Sequence, residues 1–393
     1  MLMLNTGTTT FFTYLFWLIA GHMTSTTCIG LTTEAISAAA MIVAVSRLGM
    51  DDSLTRFYPQ SKDPDGFYNA LIVIMLAVTI ITFTGFTVML PYISPSLLFL
   101  NTWQYSLLFI GYIFLTSICD MQGTALVAIR RADLAFLQYS ILILRIPLLL
   151  VMGSLGITGI FLALDITYLI MTIAGVVLLY RMRISRRARV DIGEVRKTAA
   201  FSLGNYVSTI VATAPITLIP IVIVNVTGAV QEAYFYIAYS IATFLFMVPD
   251  AVAASMFVEG SHDRPLKVTT FKSLRFALLL LAPMVLAVVV FGDKVLLLFS
   301  PEYSTAAYQL LLLLTLSSLF YAIIVIHITV VQVQKNIAML NYIRLAVSGL
   351  TIGLSFILLL KIGLIGIGYA WLLSNIIVSA VSGWMILSGA TKC

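Results

Sequence analysis

Apolar residues run along this chain in long stretches, separated by a few polar or charged positions. Twelve stretches can be counted. They cover 2–21, 35–50, 67–92, 103–122, 134–153 and 157–180, then 199–225, 232–256, 271–291, 305–330, 337–360 and 364–388. Crossing a hydrocarbon core of ~30 Å takes about 20 helical residues. The stretches reach that length without strict alternation, so the pattern predicts spanning helices rather than barrel strands. The first is the least apolar, because NTGTTT (5–10) interrupts it. Residues 1–20 carry no charged leader and no cleavage-site pattern, so the start reads as a short first spanning helix, clipped or truncated at its N-terminus.

Composition removes the soluble alternatives. Hydrophobic residues make up 61% of the 393 and charged residues 10%, with a mean hydropathy of +1.07. Soluble domains carry about 25% charged residues. The expected fold class is all-α: a polytopic membrane protein of about twelve transmembrane helices, with lipid as its solvent. Cys28, Cys119 and Cys393 match neither a disulfide framework nor a metal site. The net charge of +6 is read as a topology signal, not a nucleic-acid one. With the N-terminus placed in the cytoplasm, 17 of the 22 Lys and Arg residues fall on inside segments, and only Lys294 and Lys361 fall outside. Both termini are therefore expected in the cytoplasm and the chain in the cell membrane. The longest polar segment, RMRISRRARVDIGEVRK (181–197), carries seven of the inside charges. It suits the anionic inner leaflet.

The two halves resemble each other. LGITGIFLAL (155–164) aligns with IGLIGIGYAW (362–371), LAFLQY (134–139) with IAMLNY (337–342), and LLFL (97–100) with LLFS (297–300). The offsets are 207, 203 and 200, and LTRFYP (54–59) falls opposite ASMFVE (254–259) at the last of them. The expected organisation is two pseudo-symmetric six-helix lobes, 1–180 and 199–393, joined by a basic cytoplasmic linker at 181–198. An even helix number per copy makes the repeats parallel, which is a transporter architecture.

A second-segment helix that closes on LGMDDSLTRFYP (48–59) resembles the polysaccharide-biosynthesis, Wzx-type flippases of the multidrug/oligosaccharidyl-lipid/polysaccharide (MOP) exporter superfamily. Leu48, Gly49, Leu54, Arg56 and Phe57 fit the pattern, and Gly30 matches the glycine that opens the helix, with Ile29 where an aromatic residue usually stands. The glycine-rich joint at 155–163 and the twelve-segment layout are also similar. Two further helices found in many members are missing, and the cytoplasmic tail is short. The resemblance implies a V-shaped cavity that opens alternately to either side. It also implies a glycan cargo linked to a polyprenyl phosphate or pyrophosphate.

Few charges fall within the apolar stretches, and they are the candidate substrate-binding residues: Arg47, Asp51, Arg56, Arg145, Asp165, Asp250 and Arg344. In a helix Arg47 and Asp51 are i,i+4 neighbours, as are Asp52 and Arg56. An unpaired charge inside the membrane costs about 2.5–3.5 kcal/mol on insertion scales. Arg47, about a turn inside its segment, either faces the cavity or stays self-paired near the headgroups. Arg145 sits mid-segment beside Pro147; it lines the cavity or enters an intramolecular ion pair. Asp165 is its partner or a coupling-ion ligand. Asp250, after Pro249, lies at a cavity wall or in a helix-breaking turn. Arg344 lines the cavity or snorkels. His327 is either a proton-coupling residue or a buried, hydrogen-bonded histidine. Glu259, His262 and Asp263 read as a solvated loop.

No P-loop, HExxH or CxxC motif is present, so no cofactor is expected beyond coupling to H+ or Na+. The expected function is translocation of a lipid-linked oligosaccharide across the cytoplasmic membrane, with membrane lipids and glycan-assembly enzymes as neighbours and no nucleic acid. The rival within the same superfamily is a multidrug-type small-molecule antiporter. From other classes, the rivals are a membrane glycan polymerase or acyltransferase and a non-transporting scaffold.

Overall fold

A computed structural model of the chain describes residues 2–182, 184, 189–260 and 266–388. Arg183, Arg186, Arg187, His262, Asp263, Arg264 and Lys392 lie outside the described residues, as does the side chain of Glu259. The described residues are almost all helical, with no strand among them. In chain order the α-helices are α1 (Leu2–Met23), α2 (Thr26–Ser46), α3 (Met50–Phe57), α4 (Pro64–Ile93), α5 (Trp103–Ala128), α6 (Ala132–Ser140) and α7 (Arg145–Met152). They continue as α8 (Ile157–Arg181), α9 (Ile192–Thr227), α10 (Ala229–Gly260), α11 (Leu266–Leu297), α12 (Pro301–Val333), α13 (Ile337–Ile362) and α14 (Ile365–Ser388). Counting Ala132–Leu155 as one, 11 stretches are long and apolar enough to cross a membrane, and α1 adds a further helix of 22 residues.

The helices start where side chains satisfy the free N–H groups. Ser25 accepts from Cys28 N at 3.2 Å, Asp63 from Gly66 N at 3.2 Å with Pro64 next in the chain, and Asn336 from Met339 N at 3.0 Å. Helix α2 begins nine residues before the apolar stretch predicted at 35–50. The cause is a Thr-rich first half whose hydroxyls bond back into the helix, Thr32 to Cys28 O at 2.7 Å and Thr33 to Ile29 O at 2.9 Å.

The chain forms two compact units, Met1–Asn225 and Val226–Cys393. In the first, α5 is central, packing against α2, α3, α4, α6 and α8, over a core that includes Leu54, Phe67, Met75, Met121 and Leu179. In the second, α12 is central, packing against α10, α11, α13 and α14, with Leu245, Met256, Leu281 and Ile326 in its core. Outward faces stay apolar, as lipid requires: Ile80, Ile81, Val88 and Met89 on α4 are exposed. Trp103 at the start of α5 and Trp384 near the end of α14 are also exposed, as interfacial tryptophans are.

Two pairs of positions in the two units share an unusual backbone. Gly156 before α8 and Gly363 before α14, aligned at offset 207, have φ of 64° and 67° with ψ of −133° and −153°, a region open only to glycine. Helices α5 and α12 end alike. Arg130 (φ 62°) and Lys335 (φ 61°) are left-handed. In each case the next residue's N–H bonds five residues back, Arg131 to Leu126 O at 2.9 Å and Asn336 to Val331 O at 3.1 Å.

The units differ at one aligned joint. In the first, α2 stops at Ser46, and Leu48 (φ 48°) and Gly49 (φ 70°) turn the chain into α3. At offset 200 the second unit has Pro249, whose ring fixes a negative φ, and α10 runs on unbroken through Asp250. Asp250 is thus helical and not in a turn.

Candidate polar sites in the two units

The joint after α2 gathers charge. Arg47 caps the helix, just past its last turn, rather than inside the span. Its Nη1 donates to Asp51 Oδ2 at 3.2 Å, the i,i+4 contact expected from the sequence, although the helix is broken between them. Its Nη2 donates to Asp120 Oδ2, from α5. Tyr139 OH, from α6, donates to Asp120 Oδ1 at 3.1 Å. Burial pushes the Asp51 carboxyl above its ordinary range, against the pull of Arg47. One guanidinium thus meets two carboxylates. Asp52 and Arg56, further along α3, are exposed, with the Arg56 guanidinium 5.5 Å from the Phe57 ring centre.

Helix α9 lies against this joint. Ser53 and Ser202 share a hydrogen bond between hydroxyls, and Tyr206 OH donates to Val45 O at 2.9 Å. A Cβ on Gly49 would run into the Ser202 carbonyl. Ser61 donates to Glu194, and Asp191 N donates to Gly66 O at 3.0 Å.

The second unit assembles a related group. Tyr321 OH, on α12, donates to Asp250 Oδ1 at 2.8 Å, and Arg344 on α13 is close enough for its charge to act on Tyr321. Aromatic rings surround the pair. Phe246 meets Tyr321 edge-on at 5.3 Å, and Tyr239 lies 5.4 Å from Trp371. At offset 200 Asp250 falls opposite Met50, one residue before Asp51, and its partner lies on the central helix of its unit.

Arg145 opens α7 and is buried. Its Nη2 donates to Thr13 Oγ1 on α1 at 2.7 Å, and its guanidinium sits 5.3 Å from the Phe16 ring centre. Asp165, on α8, is half-buried, and its Oδ1 has no hydrogen-bond partner. His327 is fully buried on α12, and neither ring nitrogen has a hydrogen-bond partner among the described residues.

Sequence reasoning missed Asp120 and Glu34. Glu34 is fully buried in α2 and accepts from the hydroxyls of Ser94 and Ser96, just past the end of α4. The available signal was a carboxylate within reach of a Thr- and Ala-rich helix.

No family model matches the sequence, and no curated protein matches it. Solved structures do match in fold. A lipid II flippase, MurJ, in an inward closed conformation has a TM-score of 0.81 at 15% identity, covering 96% of this chain and 86% of that one. An inward-facing multidrug resistance MATE family transporter of the MOP superfamily has a TM-score of 0.70 at 16% identity, covering 96% and 95%. A Vibrio cholerae MATE transporter has a TM-score of 0.66 at 13% identity, covering 98% and 94%. The chain shares the fold of these transporters.

Proposed function

We propose that a chain with this fold is a transporter of the cell membrane. Its proposed cargo is a polyprenyl-(pyro)phosphate-linked oligosaccharide, moved by alternating access. The observation that carries the reading is the fold likeness to the lipid II flippase, TM-score 0.81 against 0.70 for the MATE transporter. Arginines within or beside the spanning segments support it. Arg145 sits buried in a spanning segment, held by Thr13 and the Phe16 ring, Arg47 stands at the polar joint after α2, and Arg344 lies on α13 beside Tyr321. A guanidinium binds phosphate oxygens through paired N–H groups, so these residues suit a diphosphate headgroup leaving the interface. The glycan's identity is left to the pocket that reads it, and H+ or Na+ is the proposed driving ion.

A multidrug-type antiporter is the second reading. The observation that favours it is the carboxylate content: Asp120 and Asp51 outnumber Arg47 in their cluster, and Asp165 holds an unpartnered oxygen. Liposomes holding the purified protein and a fluorescent polyprenyl-pyrophosphate oligosaccharide separate the two. Flippase activity predicts a change in the outer-leaflet fraction that Arg145→Ala abolishes while the protein still inserts. Absence of translocation by folded wild-type protein, with efflux of organic cations, would move the assignment to the antiporter.

A further inference from the structure

The two carboxylates on Arg47 are held unequally. Asp120 uses both oxygens, one on Arg47 and one on Tyr139. Asp51 uses one, at 3.2 Å, and its Oδ1 has no hydrogen-bond partner among the described residues. The Arg47 Nε is likewise unpartnered. Asp120 belongs to a 26-residue helix at the centre of its unit. Asp51 belongs to an eight-residue helix joined to α2 through Leu48 and Gly49, both left-handed. The cluster is not sealed: the side chains of Arg47, Asp51 and Asp120 are 22%, 33% and 36% exposed.

We propose that Asp51 is an exchangeable stand-in for the cargo's phosphate. It holds the Nη1 edge of Arg47 when no headgroup is bound and yields it to a phosphate oxygen when one docks, with Arg47 kept in place by Asp120. The proposal rests on the lipid-phosphate reading above and assigns Asp51 a role opposite to ligand binding. With both carboxylates ionised the cluster is net negative and repels an anion. Exchanging one anion for another removes that obstacle. A phosphate also brings more acceptor oxygens and more negative charge to Nη1 than the single Asp51 contact does. The carboxylate thus weakens the hold on a bound anionic headgroup and speeds its release.

The full-length protein, purified in detergent, is titrated with farnesyl diphosphate and separately with inorganic pyrophosphate, and the same variants are assayed in liposomes with the fluorescent lipid-linked glycan. Asp51→Asn, nearly isosteric, is expected to bind farnesyl diphosphate about fivefold or more tightly than wild type, because a like charge is removed from the site. It is also expected to turn over more slowly. Asp51→Glu returns both quantities toward wild type, and Arg47→Ala loses binding. The gain in affinity is a readout that damage to packing would not produce. A matching gain for inorganic pyrophosphate assigns recognition to the diphosphate alone, and a gain confined to farnesyl diphosphate assigns it to diphosphate plus tail. Equal or weaker binding by Asp51→Asn, or no binding of either probe by wild type, overturns the exchange. Failure of the wild type to move the glycan overturns the flippase reading instead, whichever way Asp51→Asn binds.

Discussion

Gly49 decides how α2 meets α3. Its φ of 70° is one that an L side chain adopts at a cost of about 1–2 kcal/mol, and a Cβ there would also meet the Ser202 backbone. Gly49→Ala is therefore expected to lower the unfolding temperature in detergent. Gly85→Ala is the control, because nothing lies within 4 Å of the Cβ it would add, and it should leave the temperature unchanged or raised. Equal behaviour of the two variants would mean that the Gly49–Ser202 approach is not part of the fold in solution. At this scale the sequence was partly legible. The Arg47–Asp51 spacing announced its own contact, because four residues is a local distance. Asp120 did not announce itself, since it lies 73 residues from Arg47 and spacing does not say which helices become neighbours. Glu34 was hidden for another reason. Its threonines satisfy their hydroxyls within the helix, so residues ahead of the stretch expected at 35–50 are helical from Thr26.

The stretch that carries Arg145 is one span made of four pieces. Residues 141–144 and 153–155 are 3₁₀, between and after α6 and α7. Pro147 lacks the N–H that would bond Ile143 O, and its ring crowds that carbonyl. Proline alone does not dictate the change, since Pro91, Pro215, Pro220, Pro249 and Pro283 sit inside helices that stay α-helical. The second constraint is the tie from Arg145 to Thr13 and Phe16 on α1. A 3₁₀ helix turns about 120° per residue and an α-helix about 100°, so relaxing four residues rotates the remainder of the span by about 80°. Pro147→Ala is expected to allow that relaxation and pull Arg145 away from Thr13. A double-mutant cycle reads it. Thr13→Ala should cost about 1.5–3 kcal/mol in the wild-type background, as a charge-assisted hydrogen bond does, and close to nothing alongside Pro147→Ala. An unchanged Thr13→Ala effect would show that the break is held by something other than the proline. Sequence placed the arginine and the proline together but gave no sign of α1 as the partner.

Over the whole molecule, the repeat and the charge bias were the most legible features, because both accumulate over many residues. The aligned glycines at 156 and 363 and the matching left-handed caps at 130 and 335 recur in the backbone of each unit. What the repeat did not foretell was the Gly49 and Pro249 difference, where one aligned position turns the chain and the other forbids the turn. The charge bias carries a prediction that needs no knowledge of the cargo. Alternating crossings from α2 onward put the turns after α3, α5, α8, α10 and α12, with the residues after α14, on one side of the membrane and the turns after α4, α7, α9, α11 and α13 on the other. With 17 basic residues on the first set and Lys294 and Lys361 on the second, the first set is expected to face the cytoplasm. Once Cys28, Cys119 and Cys393 are replaced, Lys294→Cys and Lys361→Cys should react with a membrane-impermeant maleimide on intact cells. Lys62→Cys and Lys335→Cys should react only after permeabilisation, and Gly7→Cys should behave like them if α1 crosses as a full span. Labelling of Lys335→Cys on intact cells would invert the topology. It would also place the Arg47–Asp120 cluster on the face away from the cytoplasm, where a headgroup delivered from inside could not reach it first.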